Sequence, residues 1–229
     1  MKFPRASLAL ILAAATALSG CGSDSNVTAA ALPSKIFFSA LLARAKAAKN
    51  PPAALDPASL QALRKALEKD GQPILLVLNP SLKYSDLMAP YGQNADVQTW
   101  SSTSYTTISL REGLVVATRG LGPDIMSATV PPLATLSAAR GQYQRSYYYL
   151  DGADQRQVLT YDCTLSAGGS QTISVLGKDF FTRVVIESCA GGAGSLTNQY
   201  WFDPTAGLRQ SQQFLAPGLQ DLTIQRIVD

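Results

Sequence analysis

The chain predicts a mainly β protein: a large antiparallel sheet, curled or partly open like a barrel or sandwich, with two amphipathic helices ahead of it. Two observations carry this. From Pro73 to the C-terminus the sequence breaks into about ten short runs rich in β-branched and aromatic residues, punctuated by Gly, Asp and Pro turns. Helical spacing, by contrast, is confined to the stretch between Ser34 and Gly71. Many strands with few crossover helices imply antiparallel pairing.

The elements follow in order. Residues 1–20 place Lys2 and Arg5 before an apolar run from Ala6 to Ala17, then Leu18-Ser19-Gly20 before Cys21. That is the charged, apolar and small-residue order of an export signal, and the apolar run falls short of the roughly 20 residues a spanning helix needs. Leu18-Ser19-Gly20-Cys21 resembles the lipobox of bacterial lipoproteins, which implies cleavage before Cys21 and lipidation of its thiol. Acyl chains hold a protein at a membrane surface, since each buried methylene adds roughly 0.8 kcal/mol. Gly22 and Ser23 follow the cysteine instead of the Asp that such sorting uses for inner-membrane retention, so the expected location is the outer membrane, facing the periplasm. Residues 21–33, small and polar, read as a flexible tether, and 34–229 as a single domain.

Within that domain, Ile36, Phe37, Leu41, Leu42 and Ala45 repeat at helical spacing until Asn50-Pro51-Pro52 stops them. Asp56 then reads as an N-cap with Pro57 in the first turn, Leu60, Leu63 and Leu67 as one stripe, and Gly71 as the terminator. Strands are expected at 74–78, 105–110, 114–118, 142–150, 158–165, 172–175, 182–188, 198–202, 209–215 and 222–227, with Arg111-Glu112-Gly113 and Gly168-Gly169 among the turns. A likeness between the hairpins at Gly113-Leu114 and Gly207-Leu208 hints at duplication, but one shared hairpin form does not establish it.

Composition narrows the chemistry. Loss of residues 1–20 removes Lys2 and Arg5 and no acid, taking the basic count from 19 to 17 against 16 acids. A near-neutral chain without a basic stripe disfavours nucleic acid as a partner. Cys163 and Cys189, destined for an oxidising compartment, are expected to form a disulfide; a reactive thiol or a metal centre is the alternative, weakened by the lack of CxxC spacing and of any histidine. The absence of histidine also removes Ser-His-Asp and Cys-His catalysis. What remains is a carboxylate pair for glycan cleavage, Asp151 with Asp154 or Asp179 with Glu187. The first pair sits in a Gly-containing turn, where Asp is favoured for local hydrogen bonding, and Glu187 reads equally as a solvated strand residue. Tyr143, Tyr147, Tyr148 and Tyr149, with Trp100, Tyr200 and Trp201, offer rings for stacking on sugars, although alternation along a strand lets only every second one share a face and favours packing. No metal and no cofactor are implied.

The stretch from Arg111 to Met126, with Arg111-Glu112-Gly113, then Thr118-Arg119-Gly120-Leu121 and Asp124, is the most distinctive in the chain. Farther on come Asn198-Gln199-Tyr200-Trp201, Gly207, Ser211 and Gln213. In this order and spacing the sequence resembles the YjbF/GfcB family of capsule and exopolysaccharide lipoproteins, from Cys21 nearly to Val228. The resemblance implies an outer-membrane lipoprotein needed to make or export a surface polysaccharide, with other secretion proteins and the glycan as partners, and it carries no catalytic residues. Arg111, Arg119, Asp124, Tyr147, Tyr149 and Trp201 are the candidate contact surface, with a solvated strand end as the plainer reading of the two arginines. The competing functions are a lipid- or glycan-binding carrier, which needs an open cavity inside the sheet, and a carboxylate-based glycan-processing enzyme, which needs two acids facing across a cleft.

Overall fold

The computed structural model of the protein describes residues 57–205, 207–219 and 221–228. The export signal, Cys21, the tether, the helix expected from Ser34 and the Asp56 cap lie outside the described residues.

Helix α1, Pro57–Asp70, forms where the leucine stripe predicts it. Gly71 ends it at φ 69°, its N–H donating to the Glu68 carbonyl at 3.2 Å. The buried Arg64 ties this helix to the rest of the chain: Nε and Nη2 donate to the Val175 carbonyl at 3.2 and 2.7 Å, and Nη1 donates to the Ile227 carbonyl at 3.1 Å. Among the described residues no helix is long and apolar enough to cross a membrane.

Twelve strands follow: β1 Ile74–Asn79, β2 Tyr84–Asn94, β3 Val97–Ser101, β4 Thr107–Arg111, β5 Leu114–Arg119, β6 Ser127–Ala128, β7 Gly141–Leu150, β8 Arg156–Val175, β9 Lys178–Gly191, β10 Gly194–Asp203, β11 Gly207–Gln213 and β12 Leu222–Val228. They form one antiparallel sheet in the order β5-β4-β3-β2-β1-β12-β11-β10-β9-β8-β7-β6. Every neighbour is a neighbour in sequence except β1 with β12, whose pairing Val77↔Ile224 joins the two ends of the meander mid-sheet. The sheet curls until its edges, β5 and β6, approach each other, so the predicted curled sheet is a nearly closed barrel with a seam between those two strands.

β2 and β3 are not among the expected strands. Pro90 and Gly92 punctuate β2, and the ladder absorbs them as a bulge between Pro90 and Gly92 opposite Trp100 and Thr99. Gly168-Gly169, expected as a turn, is instead a bulge inside the 20-residue strand β8. A Cβ on Gly168 would stand 2.9 Å from Val184 Cγ1, and Gly169 lies at φ 82°. The inserted residues flip the strand: Cys163 and Leu165 point into the barrel, whereas Ile173 and Val175 face the second core formed by Leu67, Ile74, Trp201 and Ile227. The far half of the β8–β9 hairpin thus packs, with α1, on the outside of the sheet.

The barrel interior is filled. Tyr147, Tyr161 and Phe214 meet edge to face with ring centres 5.1 to 6.1 Å apart. A short helix α2, Leu133–Ser137, lies in the β6–β7 connection and inserts the fully buried Leu136 among Leu114, Leu165, Val185, Tyr200 and Phe202. At the other end the β11–β12 connection buries Phe214, Leu215 and Ala216.

Cys163 and Cys189, directly opposed on β8 and β9, form the expected disulfide. With a sequence separation of 26 between the two cysteines, reduction is expected to lower stability by about 3 to 4 kcal/mol. Urea unfolding with and without reductant measures this; an unchanged midpoint in reductant, with both thiols titrating as free, would remove the disulfide from the stability of the barrel.

Candidate functional site

Odd-numbered residues of β7 and of β9 from Val185 to Cys189, and even-numbered residues of β10, project into the barrel. This brings Tyr143, Arg145, Glu187, Asn198 and Tyr200 together in the interior. Glu187, fully buried, accepts from Arg145 Nη1 at 2.7 Å, Asn198 Nδ2 at 2.7 Å, and the hydroxyls of Tyr143 and Tyr200 at 2.6 Å each. Asn198 Oδ1 accepts from the backbone N–H of Phe214 at 2.6 Å, anchoring the β11–β12 connection to the cluster. Burial pushes the Glu187 carboxyl up, but the Arg145 guanidinium and the tyrosine and asparagine donors outweigh it and hold it below the ordinary carboxylate range. Burial and the Glu187 charge push the Tyr143 phenol well up, and burial takes Tyr147 up to about 12.

This cluster is a buried ion pair in which Arg145 Nη1 meets Glu187 and Tyr200 while its Nε and Nη2 lack a hydrogen-bond partner among the described residues, and it does not make Glu187 a partner for Asp179. The two lie eight positions apart on β9, roughly 27 Å of extended strand, where glycan cleavage uses about 5 to 9.5 Å. Asp179 is exposed on the hairpin while Glu187 is sealed inside. Asp151 caps its own turn, accepting from the N–H groups of Ala153 and Gln155 at 2.9 Å, and these bonds hold its carboxyl low. Asp154 occupies the left-handed position of that turn at φ 58°.

Thr118, Arg119, Gly120, Asp124 and Gln213 of the distinctive motifs gather at the seam. Asp124 accepts from the N–H of Gly120 at 2.7 Å, the N–H of Leu121 at 3.1 Å and the Thr118 hydroxyl at 3.0 Å, folding the loop after β5 on itself. Arg119 Nη1 donates to the Ile125 carbonyl across the same loop at 2.9 Å. Gln213, on β11, reaches over the barrel: its Oε1 accepts from the Val115 N–H at 2.9 Å and its Nε2 donates to the Gly113 carbonyl at 3.0 Å and to Ser211 Oγ at 2.9 Å. A side-chain amide thereby pairs with the edge of β5 as a thirteenth strand would. Gly113, at φ 88°, leaves room for Leu208, whose Cδ2 would stand 2.9 Å from an added Cβ.

The expected contact surface therefore does not assemble on one face. Tyr147 and Tyr149 point into the barrel, the latter donating its hydroxyl to the Leu215 carbonyl at 2.6 Å. Trp201 is buried under the β8–β9 hairpin, its Nε1 donating to Gln171 Oε1 at 2.9 Å. Arg111 meets Asp96 at 2.8 Å in a half-exposed pair on another part of the sheet, and Arg119 and Asp124 are engaged in their loop. Trp100 and Tyr200 are core residues. Arg145 escaped the sequence reading, although it shares its parity with three tyrosines on one strand, a pattern that marks an inward face; Asn198 and Gln213 stood out there only as motif residues, without a task.

Accessible space lies instead at the rim that holds the β11–β12 connection. Two open grooves, of about 350 and 340 Å³, flank this connection, and Leu219 and Asp221 line both. Gln212 and Thr223 complete one; Ser195 and Thr197 are on the wall of the other. Burial pushes the Asp221 carboxyl above its ordinary value. On the outer face Thr197 is in register with Ser188, Ser188 with Thr164, and Thr164 with Gln142. A second row runs Gln199, Gln212, Thr223.

Comparison with known proteins adds a family and a fold. A family model described as group 4 capsule polysaccharide lipoprotein GfcB, YjbF, matches residues 38–227. Among solved structures, the crystal structure of the hypothetical lipoprotein YmcC from Escherichia coli K12 aligns with a TM-score of 0.61 at 15% identity, covering 78% of this chain and 98% of that one. At that identity the likeness is one of fold. No curated protein matches the chain.

Proposed function

Because the chain belongs to the YjbF/GfcB family of group 4 capsule polysaccharide lipoproteins, with a role in capsule production, we propose that it acts there as a non-enzymatic accessory, lipid-anchored through Cys21 at the outer membrane and facing the periplasm. The family match over residues 38–227 carries this reading. The interior supports the non-enzymatic part: Glu187 is locked to Arg145, the turn acids cap their own backbone, and the motif residues close the barrel. The work then falls to the outer surface and its grooves, which meet other secretion proteins or the polymer. A carrier that encloses its ligand fits less well, since Tyr147, Tyr161 and Phe214 occupy the barrel interior.

Deletion of the protein, complemented separately by wild type and by Cys21→Ala, tests the proposal. Secreted polysaccharide is expected to fall on deletion and to return with wild type alone. Unchanged polymer on deletion refutes the accessory role, and full rescue by Cys21→Ala refutes the need for the anchor.

A further inference from the structure

We infer that the groove pair and the outer face beside it bind an uncharged, hydroxyl-rich stretch of glycan, laid across the strands. The inference rests on the capsule reading above and names the ligand of its exposed surface.

The lining chemistry selects the ligand. Among the described residues of the two grooves, Asp221 supplies the charge and no lysine or arginine is present. A polyanion would meet no cation there and would meet one carboxyl. Gln212, Thr223, Ser195 and Thr197 supply hydroxyl and amide groups, each able both to donate and to accept, as sugar hydroxyls do. Leu219 stands between the grooves as an apolar wall against which the C–H face of a sugar ring can rest.

The register extends the site beyond a pocket. From Thr197 the row passes to Ser188, Thr164 and Gln142, all exposed, one side chain per strand. Neighbouring strands are about 4.8 Å apart, the scale of one sugar ring, so the row offers hydrogen-bonding groups at the repeat of a polymer running across β10 to β7. Asp162, with Gln144 donating to it at 3.4 Å, marks the margin of this uncharged track.

The test uses the full-length chain in detergent micelles, titrated calorimetrically with oligosaccharides from partial hydrolysis of the strain's own secreted polysaccharide, separated into neutral and acidic fractions. The neutral fraction is expected to bind with an affinity that added salt leaves unchanged. Thr164→Asp combined with Thr197→Asp is expected to weaken binding by about tenfold or more, while Gln93→Asp, elsewhere on the sheet, leaves it intact. Should the double variant melt early, Ser188→Asp alone serves in its place. Binding confined to the acidic fraction, no binding of either fraction, or equal binding by the variants at the row overturns the inference. Loss of polymer on deletion without any glycan binding would leave the accessory role standing and remove the groove; glycan binding with polymer unaffected by deletion would do the reverse.

Discussion

Replacing Glu187 with leucine is expected to cost about 3 to 5 kcal/mol, because it strands the Arg145 guanidinium in the barrel without its counter-charge. The pair itself is worth far less than that figure. Two charges taken out of water give back in mutual attraction roughly what desolvation removes, so Arg145→Met with Glu187→Leu together should recover most of the loss. Urea unfolding of the wild type, both single variants and the double variant forms the required cycle. If the two single losses simply added in the double variant, the coupling described here would be absent. The pH dependence has a defined sign. The folded Glu187 carboxyl is held below its ordinary value, so its contribution is present above the unfolded pKa and is lost as pH falls through the folded one. Wild type should therefore lose stability in acid more steeply than the double variant, which has no such carboxyl to protonate.

Gln213→Leu is expected to cost about 2 to 4 kcal/mol, with an effect localised at the seam. It removes the acceptor of the Val115 N–H and a donor to the Gly113 carbonyl, leaving buried backbone groups without partners, each worth about 1 to 3 kcal/mol. Leucine fills a similar volume, so packing loss is a small part of the change. Hydrogen exchange at the Val115 amide should accelerate more than exchange at the β1–β12 pairing. Uniform acceleration throughout the sheet would mean that Gln213 contributes to general stability and does not hold the edge of β5.

Some of this was legible in the sequence and some was not, for identifiable reasons. The strands with alternating apolar residues and Gly or Asp turns stood out, as did α1 with its Pro start and Gly stop. The antiparallel class followed, and Cys163 and Cys189 read as a disulfide from redox compartment and count. β2 escaped because Pro90 and Gly92 are turn residues by local chemistry, and only the ladder shows them as a bulge. Gly168-Gly169 misled in the same way: two glycines serve a hairpin or a face switch equally well, and the choice is made by Val184 and Ile186 packing against them. The motif residues were recognisable as distinctive, but the task of most was not. Asp124 read from the sequence as the cap of a short turn, and it does accept from the N–H groups of Gly120 and Leu121; Arg111 and Arg119 looked like surface charges because nothing in a linear chain reveals that their partners are Asp96 and the backbone of a folded loop. The grooves depend on strands far apart in sequence meeting at one rim, which a single sequence does not display.

The pairing of the first strand with the last sets an order of assembly. Cys163 and Cys189 belong to one hairpin and can meet as soon as that hairpin forms, whereas the β12-facing edge of β1 waits for a strand some 150 residues later. A chain that folds from its N-terminus can pair β1 with β2 early but must leave the other edge of β1 open until its final residues arrive, with an apolar strand edge exposed throughout that interval. Closure of the barrel therefore depends on the whole chain: a product cut short before Leu222 lacks the strand that joins the two ends of the meander and keeps one edge of β1 open.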